Sequence, residues 1–182
     1  MIDLSEYYGG FRGKTLSFKG KPHNIYYVLI FAEDRLVVAK LGESRGLTAD
    51  EYEYAGLTFG AFIGGITGAI LGSNADERAR QKKKEVASRM VGLSPEEILK
   101  LEEENFEIAY SEIEKVEMKR GTLWIEGKGV TPALVKLGWS PTVGLFRKKP
   151  SKEMWFDIAP DQDYKECKTI VSKALQSKLV TN

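Results

Sequence analysis

Residues 25–32 read IYYVLIFA and residues 36–41 read LVVAKL, with Glu33, Asp34 and Arg35 between them. A strand with one wet face alternates apolar and polar residues. An unbroken apolar run rich in aromatic and β-branched side chains is instead a strand covered on both faces. The three charged residues fit a tight turn, so the two runs form a hairpin at the centre of a sheet. The fold class follows from this hairpin: mainly β, within the α+β class.

The flanking segments extend that sheet. Residues 14–19 (KTLSFK) alternate as a first strand, and residues 20–24 turn. Residues 106–110 and 113–118 resume the β pattern after a long gap. A turn at 119–121 leads to 122–126 (TLWIE), a second turn at 127–129 leads to a further strand over 132–137, and 153–158 (EMWFDI) alternates cleanly. Residues 139–146 read as a loop or a bulge, because Gly138, Pro141 and Gly144 punctuate them. A helix over 161–178 follows, its apolar face marked by Tyr164, Cys167, Ile170, Val171, Ala174 and Leu175. The segments 14–42 and 106–158 are expected to form one antiparallel unit with that helix against it.

Residues 43–105 form an insertion between the third and fourth strands of this single domain spanning 1–182. Its centre is the stretch AGLTFGAFIGGITGAILG, residues 55–72, with glycines at Gly56, Gly60, Gly64, Gly68 and Gly72 and no charge from Tyr54 to Ala75. Residues four apart share a helix face, and a stripe of glycines lets another backbone approach closely. Three structures suit such a stretch: a buried or self-associating glycine-zipper helix, a membrane-inserted segment, or a glycine-rich loop. A basic helix over 75–91 follows, stopping at Gly92. It carries Arg78, Arg80, Lys82, Lys83 and Lys84. Ser94-Pro95-Glu96-Glu97 is a capping box that opens a short helix over 95–103.

A single bilayer crossing by 55–72 is excluded on topological grounds. The strands before the insertion need those after it as partners, so the chain must leave and return on the same side. Eighteen residues cannot cross twice, since one helical crossing takes about 20. The stretch therefore packs within protein, lies at an interface, or dips into a bilayer as a re-entrant turn.

Composition sets further bounds. The chain has 182 residues and a net charge of +1, without the basic field that draws in nucleic acid. Cys167 and His23 are each the sole residue of their type, so neither an internal disulfide nor a histidine–cysteine zinc set can form. A lone cysteine suits a reducing, cytoplasmic compartment. No phosphate-loop or nucleophile-elbow motif occurs. The carboxylate runs Glu96-Glu97 and Glu102-Glu103-Glu104 read as solvated helix faces. Trp124, Trp139 and Trp155 read as core or rim residues.

Two segments carry a resemblance. Residues 33–40 (EDRLVVAK) and 108–121 (IAYSEIEKVEMKRG) resemble segments of small prokaryotic pleckstrin-homology-like and GRAM-type domains, and the likeness covers roughly 14–42 and 106–180. It implies an antiparallel β-sandwich or partly open barrel, capped by the C-terminal helix. Members of that superfamily bind lipid headgroups, peptides or proteins. Their headgroup-binding loop joins the first two strands, which here points to Lys19 and Lys21, beside His23. The full Lys-x-Arg pattern is missing from that loop.

The function expected is a non-enzymatic binding or scaffold module that uses no cofactor and no metal. Self-association would run through Gly56, Gly60, Gly64, Gly68 and Gly72. Contact with an anionic membrane surface would run through Arg78, Arg80, Lys82, Lys83 and Lys84, placing the protein peripherally at the inner face. An enzyme with an active site in the crevice beside the insertion, or a purely structural oligomer, are the alternatives.

Overall fold

The computed structural model describes residues 7–17, 23–44, 85–86, 88–90, 92–119, 121–136, 152–159 and 162–180. Strands β1 (Tyr7–Ser17), β2 (His23–Ala32) and β3 (Arg35–Ser44) come first. Helix α1 (Pro95–Leu99), strand β4 (Phe106–Ala109) and a 3-10 turn (Tyr110–Glu112) follow. Strands β5 (Ile113–Lys119) and β6 (Thr122–Gly127), helix α2 (Val130–Lys136), strand β7 (Glu153–Ile158), helix α3 (Tyr164–Ala174) and strand β8 (Leu179–Val180) complete the order.

The fold is mainly β. Eight strands form one mixed sheet in the order β4-β3-β2-β1-β7-β6-β5-β8, and it is not closed into a barrel. The pairs are antiparallel except β5–β8, which is parallel and joins Val116 to Leu179 and Glu117 to Val180. Strand β1 is the hinge between the two halves. It pairs with β2 along its length but meets β7 only at Gly13↔Ile158 and Lys14↔Asp157. Gly13 allows that approach. A Cβ there would lie 3.2 Å from the Phe156 Cβ and 3.3 Å from the Asp157 carbonyl oxygen.

The inner face of the sheet wraps one core. Phe11, Tyr27, Leu29, Phe31, Leu36 and Val38 come from the first half; Val116, Leu123, Ile125, Met154 and Phe156 come from the second. Phe11 and Phe31 stack at 5.4 Å, and Tyr27 meets Phe106 and Phe156 edge-on at 6.1 and 5.9 Å. Helix α3 lies against β1 and β2 and contributes Cys167, Val171 and Leu175. Helix α2 lies against β4, β6 and β7 and contributes Val130, Ala133 and Leu134.

Five expectations change. The sequence predicts a strand over 132–137, but the chain is helical over Val130–Lys136. Pro132 then falls in the first helical turn, where a missing N–H costs nothing, and Val130, Ala133 and Leu134 take the spacing of one helix face. The first strand starts at Tyr7, because cross-strand pairing with β2 holds the glycine-rich YYGGFRG segment extended. The terminal helix ends at Ala174 rather than near 178. After it the chain turns so that Lys178 offers its carbonyl to the Val116 N–H at 3.0 Å and β8 covers part of the β5 edge. That parallel pair is also the exception to the antiparallel expectation. Helix α1 stops at Leu99, short of 103.

Candidate functional site

The insertion leaves the sheet through β3 and returns along residues 85–105. Residues 85–86 and 88–90 are helical, and Gly92 follows at φ +84°, a backbone conformation suited to a helix stop. Ser94 and Glu97 form a reciprocal capping box. The Glu97 N–H donates to Ser94 Oγ at 3.3 Å and the Ser94 N–H donates to Glu97 Oε2 at 2.7 Å. The bond from the Ser94 N–H favours the ionised Glu97 carboxylate and leads the causes that hold its pKa below the usual range, with the Ser94 hydroxyl second.

This returning limb covers the outer face of β2 and β3. Met90 and Ile98 are buried against Tyr26, Val28, Ile30, Val37, Ala39 and Leu41, with Val86, Leu93, Leu99 and Leu101 packed around them. Polar contacts anchor the same limb. Asn105, 2% exposed, accepts from the Lys40 N–H at 2.7 Å and donates to the Ile98 carbonyl at 2.7 Å. The Lys40 ammonium reaches Glu104 at 2.9 Å and Glu43 at 3.5 Å. Burial works against that ammonium, yet the two carboxylates outweigh it and its pKa lies above the ordinary lysine value. At the β2–β3 turn, Arg35 bridges Asp34, Glu107 and Glu96 at 2.8, 2.9 and 3.5 Å. One side chain thus ties the turn to β4 and to α1.

The other half of the sheet presents a different outer face. In register across β5, β6 and β7 lie three rows: Lys115, Glu126 and Glu153; Glu117, Trp124 and Trp155; and Lys119, Thr122 and Asp157. The two indoles sit 5.4 Å apart at an interplanar angle of 31°. Trp124 is 40% exposed. Glu117 is paired with Lys119 at 3.1 Å and Lys115 at 3.7 Å, and the hydrogen bond from Lys119 leads the causes that lower its pKa. Beside the indole a hollow of about 170 Å³ is lined by Lys115, Glu117, Trp124, Ile125, Glu126 and Glu153. The alternation in TLWIE already puts Trp124 on the polar side with Thr122 and Glu126. Its pairing with Trp155 depends on the register of β6 and β7.

The described titratable groups of the core are not poised for nucleophilic chemistry. Cys167 is buried, and its thiol is pushed up to about 12, first by desolvation and then by Glu166. It stays protonated near neutral pH, and the thiol is a far weaker nucleophile than the thiolate. Tyr27 is fully buried with its hydroxyl lacking a hydrogen-bond partner, and burial pushes its phenol pKa well up. Among the described residues, no group of three or more histidine, cysteine, aspartate and glutamate side chains could hold a metal ion. No helix of the described residues is long and apolar enough to cross a membrane.

The site residues expected from sequence lie outside the described residues: Gly56, Gly60, Gly64, Gly68 and Gly72; Arg78, Arg80, Lys82, Lys83 and Lys84; and Lys19 and Lys21. The described parts of the insertion are its two limbs on the sheet. Comparison with known proteins finds no family model, no curated protein and no solved structure that matches the chain.

Proposed function

We propose that this protein is a non-enzymatic binding or scaffold module of the pleckstrin-homology-like type, an antiparallel sandwich whose insertion makes its contacts. The observation that carries the reading is where the insertion's described ends sit. Strand β3 leads out of the sheet, and the returning limb packs through Met90 and Ile98 on the outer face of β2 and β3. Both ends are therefore held by one sheet, and the apolar stretch 55–72 has to be accommodated without a single crossing of a bilayer. The strand order β4-β3-β2-β1-β7-β6-β5, with α3 against β1 and β2, supports the type.

Self-association is the first role. The uncharged glycine stripe would be a large exposed apolar patch unless covered, and a second copy of the same stripe covers it face to face. Contact with an anionic membrane surface is the second, favoured by the basic run Arg78, Arg80, Lys82, Lys83 and Lys84 directly after the apolar stretch. Hydrophobic and electrostatic signals together suit peripheral attachment at the cytoplasmic face.

Sedimentation velocity of the full chain, alone and with vesicles of neutral or anionic lipid, tests both. The expected result is an oligomer that Gly60→Leu, Gly64→Leu and Gly68→Leu together convert to monomer. Flotation with anionic vesicles should weaken as salt rises and disappear when the five basic residues become glutamine. A wild-type monomer at high concentration ends the self-association role. Absence of flotation on anionic vesicles at low salt ends the membrane role.

A further inference from the structure

Strand β5 has β6 on one side and β8 on the other. The cover on that second side is thin. Strand β5 runs for 7 residues, but β8 has 2 and meets it only at Val116↔Leu179 and Glu117↔Val180. Val180 is itself 38% exposed. A strand edge presents a row of N–H and carbonyl groups and is a ready template for another strand.

Lys178 is what pins this short cover in place. Its carbonyl accepts from the Val116 N–H at 3.0 Å. Its ammonium donates to the carbonyls of Tyr110 and Ile113, at the corner where the 3-10 turn hands the chain to β5. Hydrogen bonds with an ionised donor are about twice as strong as neutral ones. The N–H groups of Lys178 and Leu179 donate back to the Leu175 carbonyl at 2.9 and 3.1 Å, so the segment hangs from the buried C-cap of α3. One side chain thus joins the end of the helix, the corner and the edge.

The residues along β5 define what the bare edge would accept. The Val116 N–H points out of the sheet edge, since it meets Lys178 there. In an antiparallel ladder, two residues that face each other in this way exchange both hydrogen bonds. A second copy related by a two-fold axis at Val116 pairs that residue with itself, the self-complementary arrangement of an isologous contact. The same register sets Lys115 opposite Glu117 of the second copy, and Glu117 opposite its Lys115. Opposite charges facing across a ladder stabilise it, and like charges destabilise it. We propose that β8 is a strap, pinned by Lys178, that keeps the β5 edge from pairing antiparallel with β5 of a second copy about Val116. This contact is independent of the insertion and of the reading given above.

Two variants of the full chain lift the strap in different ways. Lys178→Met removes the ammonium, and Val180→Pro takes an N–H out of the short ladder while leaving Lys178 in place. Val180→Pro also keeps the test open should Lys178→Met fail to fold. Both are made in the chain carrying Gly60→Leu, Gly64→Leu and Gly68→Leu, and each is compared with that background. Failure of the insertion reading would then show as an oligomeric background, not as a response to the strap variants. Each variant should speed hydrogen exchange at the Val116 amide and, by sedimentation equilibrium, tighten dimer association about tenfold or more, as an uncovered edge requires. Adding Lys115→Glu should weaken that dimer about tenfold, and adding Glu117→Lys as well should restore it, because the two changes together swap the charges across the seam. Three results would overturn the proposal: unchanged exchange at Val116, faster exchange without added dimer, or a dimer that ignores Lys115→Glu or is not restored by the charge swap.

Discussion

The two halves of the sheet differ in how many of their faces are covered. Strands β2 and β3 bury Tyr27, Leu29 and Phe31 on one side, and Tyr26, Val28 and Ile30 on the other. Strands β5, β6 and β7 bury Val116, Leu123, Ile125 and Phe156 on one side and turn Trp124, Glu126 and Lys115 outward. The difference comes from the insertion. Its returning limb lays Met90 and Ile98 on the first half, while no described segment lies over the second. A segment that reads as an appendage in the chain order is therefore part of the core of the first half.

The largest effect that could break this comparison comes from the covering limb itself. Ile98→Ala should destabilise the protein by about 2–5 kcal/mol, the range for truncating a buried aliphatic side chain, although Ile98 belongs to no strand. Urea unfolding measures it. A loss within about 0.5 kcal/mol, typical of ordinary surface substitutions, would mean that the limb merely rests on the sheet.

Asn105→Ala sharpens the same point through polar groups. It strips the Lys40 N–H of its acceptor, while the Ile98 carbonyl keeps the Leu101 N–H at 3.1 Å. A buried polar group left unpaired costs about 1–3 kcal/mol, so a loss of about 2 kcal/mol is expected. Hydrogen exchange at Lys40 should accelerate. Unchanged exchange there would show that the amide does not depend on Asn105.

The smallest effect belongs to the open half. Glu117→Gln breaks the pairs with Lys115 and Lys119 on a solvent-facing strand, where water screens such ion pairs and they contribute little to stability. Thermal unfolding at low and high salt should scarcely separate the variant from the parent protein. A large loss would mean that this face is as engaged as the covered one.

Much of this contrast can be read from residue order. Continuous apolar runs at 25–32 and 36–41 require cover on both faces, whereas TLWIE and EMWFDI alternate and require cover on one. The capping box at Ser94 and Glu97 follows from spacing alone, because a helix start needs only its own first turn. These features depend on interactions within a few residues, and a linear reading is sufficient for them. The glycine stripe and the basic run after it are equally plain in the sequence, but a spacing of four states only which residues share a face and not what covers that face.

Other features required partners distant in the chain. Nothing local marks Met90 and Ile98 as the cover for β2 and β3, since their apolar neighbours come from another part of the sequence. Residues 132–137 read as a strand, and packing of Val130, Ala133 and Leu134 into the core decided for a helix over Val130–Lys136. YYGGFRG lacks a strand pattern of its own and is held extended by its register with β2. The meeting of Trp124 with Trp155 depends on β6–β7 pairing. The sequence by itself determined that 25–32 and 36–41 pleat with both faces covered, that 122–126 and 153–158 pleat with one, and that a helix opens at Ser94, because those are properties of short-range periodicity. Only the tertiary structure decided which segment covers which face, because an apolar side chain is satisfied by any apolar neighbour and the chain's long-range pairing selects among them.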